Sequence, residues 1–126
     1  MGKNIKILLI EDNSGDAYRI EEYLEEFANF SYEIKNVATL NEASDVLKKQ
    51  LFDVILSDLT LPDSDGFNTF FRIHNETPLI PIIILSGSND EEIGAYSVEK
   101  GAHDFFVKGQ TESRLLECIN TMFHLT

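Results

Sequence analysis

Four apolar runs in this chain each end on residues that can do chemistry. Glu11 and Asp12 follow Ile7-Leu8-Leu9-Ile10, Asp58 follows Val54-Ile55-Leu56-Ser57, Ser86 follows Ile82-Ile83-Ile84-Leu85, and Lys108 follows Phe105-Phe106-Val107. Brought together, these carboxylates, hydroxyl and ammonium would suit a divalent cation and a phosphoryl group. Adjacent acids such as Glu11 and Asp12 repel each other unless a cation stands between them. Mg²⁺ (or Mn²⁺), a hard ion that takes oxygen ligands and keeps several waters, answers that need. Asp58 could give one oxygen to the metal and attack phosphorus with the other, forming an acyl phosphate. Attack between anions requires positive charge nearby, which the metal and Lys108 would supply. The hydroxyl of Ser86 could bond a phosphoryl oxygen. Each residue also has a plainer reading: one acid of the pair caps a helix, and a serine at a strand end is commonplace.

The residues can meet only if their strands lie side by side with the ends on one edge. The pattern supports this. Ile5 to Ile10, Phe52 to Ser57, Ile82 to Leu85 and Asp104 to Val107 read as strands, the first carrying the continuous run Ile7 to Ile10 with no alternation. Tyr32 to Val37 is half polar and reads as an edge strand. Between them run segments of helical period. Ser14 is the expected cap of a helix with Ala17, Ile20, Leu24 and Phe27 inward. Thr39 with Glu42 forms a capping box ahead of Leu40, Ala43 and Leu47. A third helix, from about Phe67 to Asn75, is expected to bury Phe67, Phe70 and Phe71. Ser88 or Asn89 would cap a fourth that Gly101 ends, and Thr111 a fifth with Leu115, Ile119, Met122 and Phe123 inward. Five strand–helix alternations with right-handed crossovers predict a doubly wound parallel sheet, with ligands at the carboxyl ends of the strands.

With 126 residues the chain fits one domain, spanning 1–126. Its 22 acids against 10 Lys and Arg give a formal net charge of -12. That excess argues against gripping nucleic acid or anionic membrane and suits a cation site and a basic partner. Cys118 is the lone cysteine, read as a small packed residue, so no intrachain disulfide forms. No apolar stretch approaches a membrane span, and the start carries no signal-peptide core. The expectation is a soluble protein of a reducing cytoplasm. His74, His103 and His124 have no metal-ligand spacing. Asp63 and Asp65 read as turn residues, and Tyr18 and Tyr23 as helix-surface aromatics.

Over essentially its full length the chain resembles the receiver domain of two-component response regulators. The matching stretches are Ile7 to Asn13, Asp53 to Gly66, Pro81 to Gly87 and Gly101 to Lys108, in order on the five-fold pattern. The resemblance implies a flavodoxin-like three-layer sandwich with strand order 2-1-3-4-5. It also implies that Asp58 accepts phosphate from a phosphohistidine of a sensor histidine kinase or phosphotransfer protein. Glu11, Asp12, Asp58 and the backbone carbonyl of Thr60 would hold Mg²⁺, Lys108 would pair with the phosphoryl group, and Ser86 with Phe105 would form a switch pair. The domain would then be a switch acting on itself rather than an enzyme on other substrates, shifting to an active state that alters binding to an output partner or domain. The face of the fourth helix, fifth strand and fifth helix, with Glu99, Lys100 and Arg114, would serve partners or a phosphorylation-dependent homodimer.

Two departures stand out. Gly109 follows Lys108 where many receivers have proline, so the Lys108–Gly109 bond is expected to be trans, since a cis bond without proline costs about 2.5–4 kcal/mol. Phe105 lacks a hydroxyl, so its inward state would rest on packing alone, while Phe106 beside it reads as core. Rival readings fit less well. A flavin phosphate would be repelled by Glu11 and Asp12, an aspartyl-phosphatase would want an acid where Thr60 stands, and no P-loop is present. A receiver-like interaction module that takes no phosphate would be expected to have lost an acid or the lysine, and all are here. The chain ends at Thr126 just after its last helix, compatible with a stand-alone domain or with a piece of a longer regulator or hybrid kinase.

Overall fold

Strand β1 (Asn4–Ile10) shows why its apolar run is unbroken from Ile7 to Ile10. Leu8 and Ile10 point into one core and Ile5, Ile7 and Leu9 into another, because helices cover both faces of the sheet. The computed structural model describes residues 3–109 and 112–125. Along the chain follow α1 (Ser14–Phe27), β2 (Ser31–Val37), α2 (Leu40–Lys49), β3 (Val54–Asp58), α3 (Phe67–Glu76), β4 (Ile82–Ser86), α4 (Glu91–Glu99), β5 (Asp104–Val107) and α5 (Glu112–Phe123). All strand pairings are parallel and the order is β2-β1-β3-β4-β5, as expected. Ala17, Ile20 and Leu24 of α1 and Leu115 and Ile119 of α5 fill one core. Leu40 and Ala43 of α2 and Phe70 and Ile73 of α3 fill the other.

Local chemistry sets the helix starts. Thr39 and Glu42 form the capping box. The N-cap of α1 is Asn13, not Ser14: the Asn13 side chain accepts from the Asp16 N–H at 2.9 Å. Neither Ser88 nor Asn89 is the N-cap of α4, which follows a short 3₁₀ turn over Ser88–Asp90 and is preceded by Asp90, without a side-chain cap bond. The Ser88 side chain and Thr111 lie outside the described residues.

Two expected core aromatics face outward. Phe27, at the last turn of α1, is 54 % exposed, its ring tilted against that of Tyr23 at 4.6 Å. Phe71 is 49 % exposed because α3 buries the line through Thr69, Phe70 and Ile73, and one residue further is a rotation of about 100°. Phe52 is buried, yet the third strand begins only at Val54. Phe106 is core, as expected. No peptide bond among the described residues is cis, so Lys108–Gly109 is trans, and Gly109 turns the chain at φ 88°.

Candidate functional site

Strand register brings the chemistry-bearing ends level. Ile10 pairs with Ser57, Asp58 with Leu85, and Ser86 with Val107. Glu11 and Lys108 continue the ladder past the strands: the Glu11 N–H donates to the Val37 carbonyl and the Lys108 N–H to the Ser86 carbonyl. Glu11, Asp12, Asp58, Ser86 and Lys108 therefore occupy one rim, at the carboxyl edge of the sheet.

Lys108 is the hub. Its Nζ donates to Glu11 Oε1, Asp16 Oδ2 and Asp58 Oδ2, each at 2.9 Å. Burial alone would pull the ammonium's pKa down, but the hydrogen bonds to Asp16, Glu11 and Asp58 lift it well above the usual lysine range. Glu11 is almost fully buried, and that desolvation raises its carboxyl above the ordinary value, against the Lys108 and Asn13 hydrogen bonds that lower it. Its second oxygen accepts the Asn13 N–H at 3.1 Å, which turns it toward the start of α1. The Lys108 hydrogen bond is the main reason Asp16 sits below the usual carboxylate range.

Glu11, Asp12 and Asp58 each offer an oxygen, and these atoms lie within 4.8 Å of one another. Glu11 and Asp58 are buried and Asp12 is exposed, so the trio has a protein side and a water side. Hard anionic oxygens on one side and open solvent on the other fit Mg²⁺, which keeps part of its water shell. The Thr60 N–H donates to Asp58 Oδ1 at 3.2 Å and its hydroxyl to Asp65 at 3.1 Å, which places the residue beside the trio.

Ser86 is wholly buried, and its Oγ has no hydrogen-bond partner among the described residues. A buried hydroxyl without a partner is costly in a finished core and ordinary beside a ligand site. Phe105 stands on β5, three residues before Lys108, and lays its ring against Gly94 of α4. His74 stacks on Phe70 at 5.2 Å and takes no part in the rim.

Two residues at or near the rim escaped the sequence reading. Asp16 follows Asn13 by three, a spacing that reads as ordinary capping and hides its reach to Lys108. Asp63 is more than a turn former: its two oxygens accept the N–H groups of Leu40 and Asn41 at 2.8 and 2.9 Å, tying the loop after β3 to the start of α2.

A family model described as "Response regulator receiver domain" matches residues 7–120. Among curated proteins, the transcriptional regulatory protein CiaR of Streptococcus pneumoniae is 29% identical over 104 residues, covering 82% of this chain and 45% of that protein. LuxO of Vibrio vulnificus is 29% identical over 112 residues, covering 89% of this chain and 24% of that protein. This chain thus spans less than half the length of these relatives. Among solved structures, a protein of Chloroflexus aurantiacus described as a putative response regulator superposes with a TM-score of 0.83 at 25% identity, covering 97% of this chain and 99% of that one. The beryllofluoride-activated NtrC4 receiver domain dimer superposes at 0.80 with 28% identity, covering 95% and 97%.

Proposed function

The chain belongs to the response regulator receiver family, and on that footing we propose that Asp58 is its phosphoacceptor. One observation carries the reading. The buried Asp58 carboxylate lies 2.9 Å from the Lys108 ammonium and shares a 4.8 Å cluster with oxygens of Glu11 and Asp12. An Asp58 oxygen would attack the phosphorus of a phosphohistidine on a sensor histidine kinase or phosphotransfer protein. The P–N bond breaks as the P–O bond forms, and the imidazole nitrogen keeps the electron pair and takes up a proton. Mg²⁺, held by Glu11, Asp12, Asp58 and the Thr60 carbonyl, would supply positive charge against the anionic phosphoryl group. Lys108 would share in that by donating to a phosphoryl oxygen, and Ser86 Oγ would donate another hydrogen bond once the group is in place.

The switch then follows as a population shift. Moving an equilibrium from 1:99 to 99:1 requires about 5.5 kcal/mol of differential stabilisation, within reach of a few charge-assisted hydrogen bonds to one new dianion. Phe105, whose ring lies on Gly94 of α4, would carry the change to α4, β5 and α5. That face, with Glu99, Lys100 and Arg114, would serve an output partner or a second copy of the chain. Cytoplasmic residence suits the free thiol of Cys118, and among the described residues no helix is long and apolar enough to cross a membrane.

The test is incubation with a small acyl-phosphate donor and Mg²⁺, read by intact mass. One phosphate adduct is expected, absent in Asp58→Asn, and Mg²⁺ affinity should fall clearly in the same variant. No adduct on the unaltered chain would point to an interaction module that works without phosphate. An adduct surviving the substitution would move the nucleophile elsewhere.

A further inference from the structure

An ammonium has three N–H donors. Lys108 gives all three to carboxylates, at 2.9 Å each. Two of those acceptors change during the chemistry proposed above. Asp58 becomes an acyl phosphate, and Glu11 belongs to the trio that would hold the cation. Asp16 does neither. It stands in the first turn of α1, outside the trio, and splits its carboxylate between two cations, Oδ2 on Lys108 and Oδ1 on Arg19. Its backbone N–H is held by the Asn13 side chain at 2.9 Å. On that chemistry Asp16 is, among the described residues, the carboxylate partner of Lys108 that neither takes the phosphoryl group nor belongs to the trio.

We propose that Asp16 is a positioning residue for phosphoryl transfer. It anchors the Lys108 ammonium at the α1 side of the rim throughout the cycle, and the N–H now given to Asp58 is the one passed to the phosphoryl oxygen. The inference rests on Asp58 being the phosphoacceptor. A bare carboxylate here would oppose an incoming dianion. The Arg19 guanidinium on its other oxygen offsets that field, so what Asp16 adds is the placement of Lys108. Without it the ammonium would be held only by Glu11 and Asp58, the two groups whose surroundings change, losing its aim at the phosphoryl group.

Beryllofluoride, a phosphoryl mimic, separates this role from a structural one. Its affinity in saturating Mg²⁺ would be measured by calorimetry, alongside the affinity for Mg²⁺ alone. Losing one hydrogen bond between charged groups should weaken beryllofluoride binding by Asp16→Ala about tenfold, and by Asp16→Asn, which keeps a neutral acceptor, about threefold. Mg²⁺ affinity should stay within about twofold of the unaltered chain, because Asp16 lies outside the cation's ligands. In a Lys108→Met background Asp16→Ala should change nothing further, since the group it positions is gone. Unchanged or tighter beryllofluoride binding in Asp16→Ala overturns the proposal and leaves Asp58 as phosphoacceptor untouched. So does an equal loss with and without Lys108. Failure of the unaltered chain to bind beryllofluoride with Mg²⁺ overturns both readings together.

Discussion

Gly94 sits within α4 with the ring of Phe105 laid directly on it. A Cβ at that position would stand 2.6 Å from Cδ2 and 2.9 Å from Cγ of Phe105. Carbon atoms pack at about 3.5–4.0 Å, so the overlap is close to 1 Å. Cγ is the root of the ring, and rotating the ring about its own axis does not clear it. Phe105 must change χ1, or α4 must lift from β5. Gly94→Ala therefore carries two opposing effects. Replacing glycine in a helix interior stabilises by about 0.8–1.0 kcal/mol. Forcing a methyl into filled space destabilises by roughly 1–3 kcal/mol. The net expectation is a loss of about 1 kcal/mol. Removing the ring isolates the first effect: in a Phe105→Ala background the same Gly94→Ala change should stabilise by about 1 kcal/mol. Urea denaturation of the four proteins, compared by midpoints at a common slope, gives both numbers and a coupling of about 2 kcal/mol between the sites. A substitution with the same sign and size in both backgrounds would refute the contact. It would also remove the reason to regard α4 as the element that Phe105 would displace in the proposed switch.

Two further outcomes follow from the rim and its supporting loop. Lys108→Met leaves the buried Glu11 beside Asp58 without the cation that bonds both. Breaking such a pair costs about 3–5 kcal/mol when fully buried, and Lys108 is partly open, so a loss of about 2–3 kcal/mol in metal-free urea denaturation is expected, shrinking when Mg²⁺ is added. Equal stability with and without the lysine would count against the hub. Asp63 is held below the usual carboxylate range, chiefly by the Leu40 N–H and further by that of Asn41. A depressed carboxyl stabilises the fold above its unfolded value, near 3.8, and loses that contribution as pH falls through the lower folded value. Asp63→Ala should therefore cost about 1 kcal/mol at neutral pH, as lost helix caps do, and the gap should close in acid below the unfolded value. A gap that persists down to pH ~2 would assign the loss to packing instead.

How far the molecule is legible from sequence depends on how local each cause is. Four of the strands are visible because a buried sheet demands apolar runs, β2 is visible by its half-polar edge pattern, and Thr39 with Glu42 marks a helix start within four residues. The rim acids, Ser86 and Lys108 are visible because strand ends in a parallel sheet must share an edge. Asp16 is not, because Asn13-x-x-Asp16 satisfies a local rule of its own, and nothing nearby announces a lysine 92 positions away. Asp63 is hidden in the same way by turn chemistry. Phe27 misleads because it stands in the last turn of α1, where the inward spacing continues but the helix ends, and Phe71 because it lies about 100° past the line α3 buries. Gly94 is silent until the strand that lays a ring on it is in place.

The charges at the rim constrain what kind of switch this can be. Glu11, Asp12, Asp16 and Asp58 face Lys108 and Arg19, which leaves two formal negative charges for a divalent cation to balance. Phosphorylation would remove the carboxylate charge of Asp58 and add a group carrying about 1.5–2 negative charges. The net change is then at most about one charge, small beside what the rim already holds. What changes is where the charge sits: it moves outward from a carboxylate to phosphoryl oxygens bearing several acceptor positions. A device that sensed total charge would respond weakly to this. One that places donors at the new position would respond strongly, because charge-assisted hydrogen bonds depend steeply on distance and angle. The buried Oγ of Ser86, without a hydrogen-bond partner among the described residues, would be such a donor, and the third N–H of Lys108 another. The switch is therefore expected to be lost with the placement of these two groups even where phosphate still binds Asp58.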